Sequence, residues 1–489
     1  MSFFLYNDIQ VNSKIIKNAF WLFSGQAVGR ILRAILIVVA ARVLGATNWC
    51  VFAYAMSLTA TFTVLSDIGI NALLVRENNR NSKLIRKYLA TGLVVKLSLI
   101  FALSVFVALF QDVIVRVPEA AVFIPLIIII FTLDSLRNFV SALARSLERM
   151  DIEARGQIVT NASIVGFGLL FLSIYPTSSA LVLSYVVGTF IGLMAIFVPL
   201  RNYFRGLIKE FNCKLVREII VSAWPFGMVS LMGIIMINTD VLVLGAMTSA
   251  AEVGLYAAAQ KPVQLLYLIP SLLVAAFFPT LSREAGEKSQ FRDTLEKGLR
   301  SVYLFAIPLS IGGALAARSV ISLLYGPEFL LSYLSFALLS LTFLFVFPSS
   351  FFTSALFTQN KQKSFYGYLA IGVLMNIILN IILIPHIGIA GCALATLIVQ
   401  ALLFIYSITI LKKSFAFRVF PNIGRIIVSA LVMALVVAFL LFIQSHALIV
   451  VGAGFFSYLL MLIVLREPTL AQIIFAIRQK PGITSGVEI

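Results

Sequence analysis

Charge is scarce in this sequence: 12% of its 489 residues are Asp, Glu, Lys or Arg, where soluble globular domains carry about 25%. That excludes a soluble enzyme of two or three domains, and equally a disordered chain. Cysteine is nearly absent, at three residues, so a disulfide-stapled secreted scaffold is excluded. Histidine occurs twice, at His386 and His446, too thinly for a His-based metal cluster or general-base array. No Walker-A loop or strand–Gly-x-Gly-x-x-Gly–helix motif is present, so nucleotide hydrolysis is not expected. No cofactor or metal is expected. No cleavable leader is expected: the first apolar run is too long and lacks an Ala-x-Ala exit.

What is abundant is oil. Hydrophobic residues make up 61% of the chain, and the mean hydropathy is +1.04. A hydrocarbon core of roughly 30 Å needs about 20 apolar residues per crossing. The runs predict fourteen spans, at 18–42, 46–71, 88–110, 121–144, 157–175, 179–199, 219–244, 252–280, 301–321, 332–357, 364–384, 389–411, 426–444 and 447–465. Runs such as Phe101 to Phe110 and Leu431 to Ile443 lack the alternation of barrel strands. The fold class is an all-α polytopic membrane protein.

The little charge there is has a strong bias, a formal net +17. With a cytoplasmic N-terminus, 29 of the 37 basic residues fall on inside segments and only Arg42, Arg116 and Arg318 fall outside, so both termini are expected to be cytoplasmic. The expected organisation is an N-terminus (1–17), a six-helix bundle (18–199), a cytoplasmic linker (200–218), a second six-helix bundle (219–411), a helix pair (412–465) and a cytoplasmic tail (466–489). In the tail, Leu470, Ile473, Ile474 and Ile477 share a helical face ahead of Arg478 and Lys480. An interfacial helix and a loose tail both fit that pattern. Cys50, Cys213 and Cys392 fall at the outside edge, in an inside loop and within the membrane, so no disulfide follows.

An internal repeat supports the two bundles. Ala41-Arg42-Val43-Leu44-Gly45-Ala46 with Phe52-Ala53-Tyr54-Ala55 joins spans one and two, and Val243-Leu244-Gly245-Ala246 with Tyr256-Ala257-Ala258-Ala259 joins spans seven and eight. Ala41-Arg42-x-Leu44-Gly45, Asp67-Ile68-Gly69 and Arg76-Glu77, with Asp240-x-x-x-Leu244-Gly245 and Val253-Gly254-x-Tyr256-x-x-Ala259-x-Lys261, resemble the signature of bacterial polysaccharide transporters. These are the Wzx-type O-antigen flippases of the multidrug/oligosaccharidyl-lipid/polysaccharide exporter superfamily. The chain departs from the family's Leu-Gly-Pro-x-x-Tyr-Gly turn, carrying Ala46-Thr47-Asn48-Trp49-Cys50 instead. The resemblance implies flipping of an undecaprenyl-diphosphate-linked oligosaccharide from the cytoplasmic to the periplasmic leaflet of the bacterial inner membrane. It implies no enzyme and no nucleic-acid partner; other polysaccharide-assembly proteins are conceivable partners.

Five basic residues remain within the spans: Arg30, Arg33, Lys96, Arg137 and Lys261. The acids there are Asp67, Asp134 and Asp240. A charge at a helix centre costs about 2.5–3.5 kcal/mol on insertion scales, so each needs a partner, water or a route to the interface. An excess of cations suits an anionic substrate, and Arg binds phosphate oxygens in a bidentate way. Arg30 and Arg33 lead, three residues apart and deep in span one; pairing with Asp134 or Asp67 is the structural alternative. Arg137 follows Asp134 by one turn, and Lys96 could reach the interface. Lys261, beside Gln260 and Pro262, sits where proline permits a broken helix, and Asp240 is its expected salt-bridge partner or a coupling-ion site. Tyr54, Tyr256, Tyr267 and Tyr366 are read as packing rather than sugar platforms, and Asn161-x-Ser163 as no acceptor within a span. The rivals are a drug/cation antiporter, which would want an acidic lumen, a lipid II flippase, and a membrane-embedded polymerase or ligase.

Overall fold

Apolar runs too long for strands become helices throughout the computed structural model, which describes residues 2–80, 85–115, 117–359 and 362–470. No strand occurs among the described residues. Among the described residues, ten helical stretches are long and apolar enough to cross a membrane. The protein is therefore an all-α, multi-pass membrane protein. Ile473, Ile474, Ile477, Arg478 and Lys480 of the expected interfacial tail, and Arg116, lie outside the described residues.

The helices form two compact units, Met1–Leu265 with Leu369–Ala395, and Leu266–Tyr368 with Thr396–Ile489. The first holds α1 (Ser2–Leu65), α2 (Ile70–Arg80), α3 (Ile85–Leu109), α4 (Gln111–Ile114), α5 (Ile124–Ser146), α6 (Met150–Ile174), α7 (Ser178–Phe204), α8 (Cys213–Met247) and nearly all of α9 (Ala250–Leu266). The second holds α10 (Leu268–Arg283), α11 (Lys288–Leu315), α12 (Ala317–Tyr325), α13 (Tyr333–Leu341), α14 (Phe343–Thr358), α16 (Gly424–Phe442) and α17 (Ala447–Val464). Helix α15 (Gln362–Lys412) contributes to both.

Two of these helices are broken rods. In α1 the chain bends at Gly45 (φ 71°), a left-handed value that a side chain disfavours. In α15 it bends at Ile387 and Gly388 (φ 57°), just after Pro385. Both breaks fall at turns anticipated between spans. The second arm of α1 ends sooner than its apolar run, at Leu65, because Ile68 (φ 40°) and Gly69 (φ 89°) turn the chain into the separate helix α2.

In the first unit, α6 packs against α1 and α7. A core of Leu73, Leu89, Phe139, Leu143 and Ile196 ties α2, α3, α5 and α7 together. The 200–218 linker is fastened to α3 by three bonds: Arg86 Nη2 donates to the Arg205 carbonyl (2.8 Å), Tyr88 Oη to Glu218 (2.8 Å), and the Asn212 amide to Thr91 Oγ1 (3.2 Å). Asn212 also caps α8, accepting from the Lys214 amide at 3.0 Å. In the second unit, Tyr458 on α17 donates to the Leu304 carbonyl on α11 (2.7 Å), and Arg300 pairs with the fully buried Glu467 (2.7 Å). His446 caps α17, its Nδ1 accepting from the Leu448 amide. Large apolar side chains such as Phe101, Leu435 and Phe442 point outward, as hydrocarbon solvent allows.

Candidate functional site

Two parallel helices of the first unit, α1 and α6, build a polar slot. They approach closely because α1 carries Gly25 and Gly29, a Gly-x-x-x-Gly pair of the kind that lets membrane helices meet. A Cβ on Gly25 would lie 3.0 Å from the Ala154 Cα, and one on Gly29 would lie 2.5 Å from Asn161 Nδ2. Flanking this seam, α1 presents Gln26, Arg30 and Arg33, and α6 presents Glu153, Gln157 and Asn161 at successive i, i+4 positions. The six line a cavity of about 240 Å³.

Arg33 is held at the slot from two sides. Its Nε donates to Asn161 Oδ1 at 2.5 Å, and its guanidinium lies over the Tyr185 ring, 5.9 Å from the centroid. Asn161 is itself fixed by donating Nδ2 to the Gln157 carbonyl at 2.7 Å. With Nε engaged, the two Nη groups remain for a ligand. Lys261 on α9 is near enough to Arg33 for the two positive charges to repel. Neither Arg30, Arg33 nor Lys261 has a carboxylate partner among the described residues. Glu153, the one acid in the slot, pairs with Arg145 (3.1 Å).

Lys96 and Arg137 are arranged differently. Lys96, fully buried beneath the Phe139 ring, donates to Asp67 Oδ1 at 2.8 Å. Arg137 pairs with Asp134 at 2.9 Å, one turn away on the same helix. Asp67 and Asp134 are thus spent on these two cations, not on Arg30 or Arg33.

Asp240 does not pair with Lys261, contrary to the expectation from their neighbouring spans. Its buried carboxylate accepts from Tyr256 Oη (2.6 Å), Asn376 Nδ2 (3.1 Å) and Asn380 Nδ2 (2.9 Å). Asn380 Nδ2 also donates to Asn376 Oδ1 (3.1 Å), while Asn380 Oδ1 is buried without a hydrogen-bond partner. Three donors from α9 and α15 therefore satisfy the acid, and the ammonium stays apart. The physical reason is reach: Asn376 and Asn380, one turn apart on α15, lie alongside α8 at Asp240.

Charge-counting alone misses Gln26, Gln157, Asn161, Asn376 and Asn380. For Gln157 with Asn161 and Asn376 with Asn380 the signal is present in the sequence as uncharged polar pairs at i, i+4 spacing inside apolar spans; Gln26 has no such partner. The tyrosines behave as packing groups: Tyr54 donates to the Ile114 carbonyl (3.4 Å), Tyr256 to Asp240, and Tyr267 shares a 2.9 Å bond with Thr342 Oγ1. The Tyr366 side chain lies outside the described ones. No cluster of three His, Cys, Asp or Glu that could hold a metal occurs among the described residues.

Residues 15–285 match the sequence profile of the family described as polysaccharide biosynthesis protein. The chain is 31% identical over 207 residues to the "Probable flippase AglR" of Haloferax volcanii, an alignment covering 40% of this chain and 42% of that one. It is 24% identical over 438 residues to the "Probable low-salt glycan biosynthesis flippase" of the same organism, covering 86% of this chain and 88% of that one. Among solved structures, the lipid II flippase MurJ in its inward closed conformation superposes with a TM-score of 0.76 at 19% identity, over 91% of this chain and 99% of that one. At that identity the likeness speaks for the fold.

Proposed function

The chain belongs to the polysaccharide biosynthesis protein family, and from that premise we propose that it is a flippase for a polyprenyl-diphosphate-linked oligosaccharide. The cargo is an undecaprenyl-diphosphate-linked O-antigen or similar repeat unit, moved from the cytoplasmic to the periplasmic leaflet of a bacterial inner membrane by alternating access. The observation that carries the reading is the sorting of cations within the first unit. Lys96 and Arg137 are neutralised by Asp67 and Asp134, whereas Arg30, Arg33 and Lys261 have no carboxylate partner among the described residues. Uncompensated cations at membrane depth are costly unless an anion visits them. A diphosphate crossing hydrocarbon needs that compensation, since an isolated charge pays a large desolvation cost. A drug/cation exporter would want the opposite polarity.

Fourteen crossings complete the proposal. To the ten apolar helices are added the division of Gly367–Lys412 at Gly388, the two arms of α1 about Gly45, and α8. The bias of 29 basic residues against 3 supports cytoplasmic termini. Asp240 is the coupling group in this reading, a buried carboxylate held by neutral donors beside the unpartnered Asn380 Oδ1. Asp67 and Asp134 are salt-bridge members.

The test is binding of a C15 polyprenyl diphosphate to the purified full-length protein. Each charge-assisted hydrogen bond is worth about 1.5–3 kcal/mol, so Arg33→Gln and Arg30→Gln should each weaken binding about ten- to a hundredfold. Unchanged affinity in the double variant rejects the site.

A further inference from the structure

Gln26 and Gln157 have side chains with no hydrogen-bond partner among the described residues, yet both are half-buried in the lining of the slot. Asn161, next on the same face of α6, is fully engaged by Arg33 and the Gln157 carbonyl. Glu153, one turn before Gln157, spends Oε2 on Arg145 and leaves Oε1 without a partner. Three polar groups therefore line one end of the slot with unused donors and acceptors, and the Arg33 guanidinium lies at the other. Half-buried carboxamides that bond to nothing among the described residues add no hydrogen bond to the α1–α6 seam, so helix packing does not account for Gln26 or Gln157.

We propose that Gln26, Gln157 and Glu153 form the subsite for the sugar joined directly to the diphosphate, and that this sugar is a neutral hexose or N-acetylhexosamine. The inference rests on the reading that Arg30 and Arg33 take the phosphates.

Three physical points support it. First, continuity: one cavity of about 240 Å³ is lined by the carboxamides and by Arg30 and Arg33 together, so a group held by the glutamines lies beside the cations. Second, length: from Gln26 to Arg33 the α1 face rises about 10 Å at 1.5 Å per residue, the span of a diphosphate plus one ring. Third, chemistry: guanidinium groups bind any diphosphate alike, so they cannot tell one glycan from another. Carboxamides donate and accept at once, and a carboxylate oxygen accepts from a hydroxyl. Such groups reject a ligand that leaves them unpaired. A uronic acid would bring a second carboxylate against Glu153 and is disfavoured.

The experiment compares, on detergent-purified full-length protein, a bare C15 polyprenyl diphosphate with the same lipid carrying one glucose, galactose, N-acetylglucosamine, N-acetylgalactosamine or glucuronic acid. Wild type should bind at least one neutral sugar lipid about tenfold more tightly than the bare diphosphate, the worth of one or two net hydrogen bonds. Gln26→Leu and Gln157→Leu should erase that gain while keeping affinity for the bare lipid within about twofold. Arg33→Gln should weaken every lipid, bare or glycosylated. Wild type indifferent to every sugar, or preferring glucuronate, overturns the proposal. So do leucine variants that weaken the bare lipid as much as the sugar lipids. If Arg33→Gln leaves all affinities intact while the leucine variants still erase the sugar gain, the phosphate reading falls and the sugar subsite stands. Wild-type discrimination is read without any variant, so a poorly folding substitution does not remove the test.

Discussion

Breaking the Asp67–Lys96 pair should cost different amounts depending on which partner is removed. The Lys96 side chain is 0% exposed and the Asp67 side chain 18%. Asp67→Asn strands an ammonium in the interior beneath Phe139, and leaving a buried charge unpaired costs about 3–5 kcal/mol. Lys96→Met leaves a carboxylate that is partly exposed and still accepts weakly from the Asn71 amide at 3.4 Å, so the loss should be smaller, about 1–2 kcal/mol, with Met filling the lysine stem's volume. The double variant Asp67→Asn/Lys96→Met carries no orphaned charge and should recover to within about 1 kcal/mol of wild type. Denaturant unfolding of the purified protein in detergent measures the order. A double variant no more stable than Asp67→Asn, or Lys96→Met as damaging as Asp67→Asn, refutes the reasoning. The same proteins report on function: if Lys96 is structural, the double variant binds C15 polyprenyl diphosphate within about twofold of wild type.

Gly29→Val places a branched side chain where a Cβ alone would come within 2.5 Å of Asn161 Nδ2. Asn161 must leave, Arg33 loses its anchor, and diphosphate affinity should fall about tenfold; unaltered affinity contradicts the role given to Asn161. Asp240→Asn removes the charge and turns one acceptor oxygen into a donor; with Oδ1 kept toward Asn376 and Asn380, the new NH2 can donate to Tyr256 Oη, so the protein should fold but lose dependence of flipping on an ion or proton gradient. Persistent gradient dependence removes Asp240 from coupling. Cys213 is exposed, whereas Cys50 and Cys392 are buried. A membrane-impermeant maleimide should therefore label Cys213 in inside-out vesicles and not in intact cells, and the reverse pattern inverts the orientation.

The helices were legible in the sequence because a membrane span is written in local composition: twenty apolar residues suffice, whatever the partner. The breaks at Gly45 and after Pro385 were legible for the same reason, since glycine and proline act on their own backbone. The turn at Ile68–Gly69 was harder, because the apolar run continues past it and only Gly69 marks the left-handed pair. Arg137 with Asp134 could be read from i, i+3 spacing. Lys96 with Asp67 could not, since 29 residues and a helix reversal separate them. Asp240 shows the limit most clearly: proximity in sequence pointed to Lys261, while two asparagines 136 and 140 residues away satisfy it through packing that no local pattern encodes. The cationic character of the slot was readable from a charge tally. Its carboxamide wall was not, because uncharged polar residues leave no mark on that tally.

The central claim is that the uncompensated cations move a diphosphate lipid across the bilayer. It is tested most directly by reconstituting the protein into liposomes and timing transfer of a fluorescent C15 polyprenyl-diphosphate monosaccharide between leaflets with an impermeant quencher. Wild type should equilibrate the lipid, while the triple variant Arg30→Gln/Arg33→Gln/Lys261→Gln, folded by the same unfolding criterion, should transfer no faster than empty liposomes. Equal rates for wild type and triple variant would contradict the account.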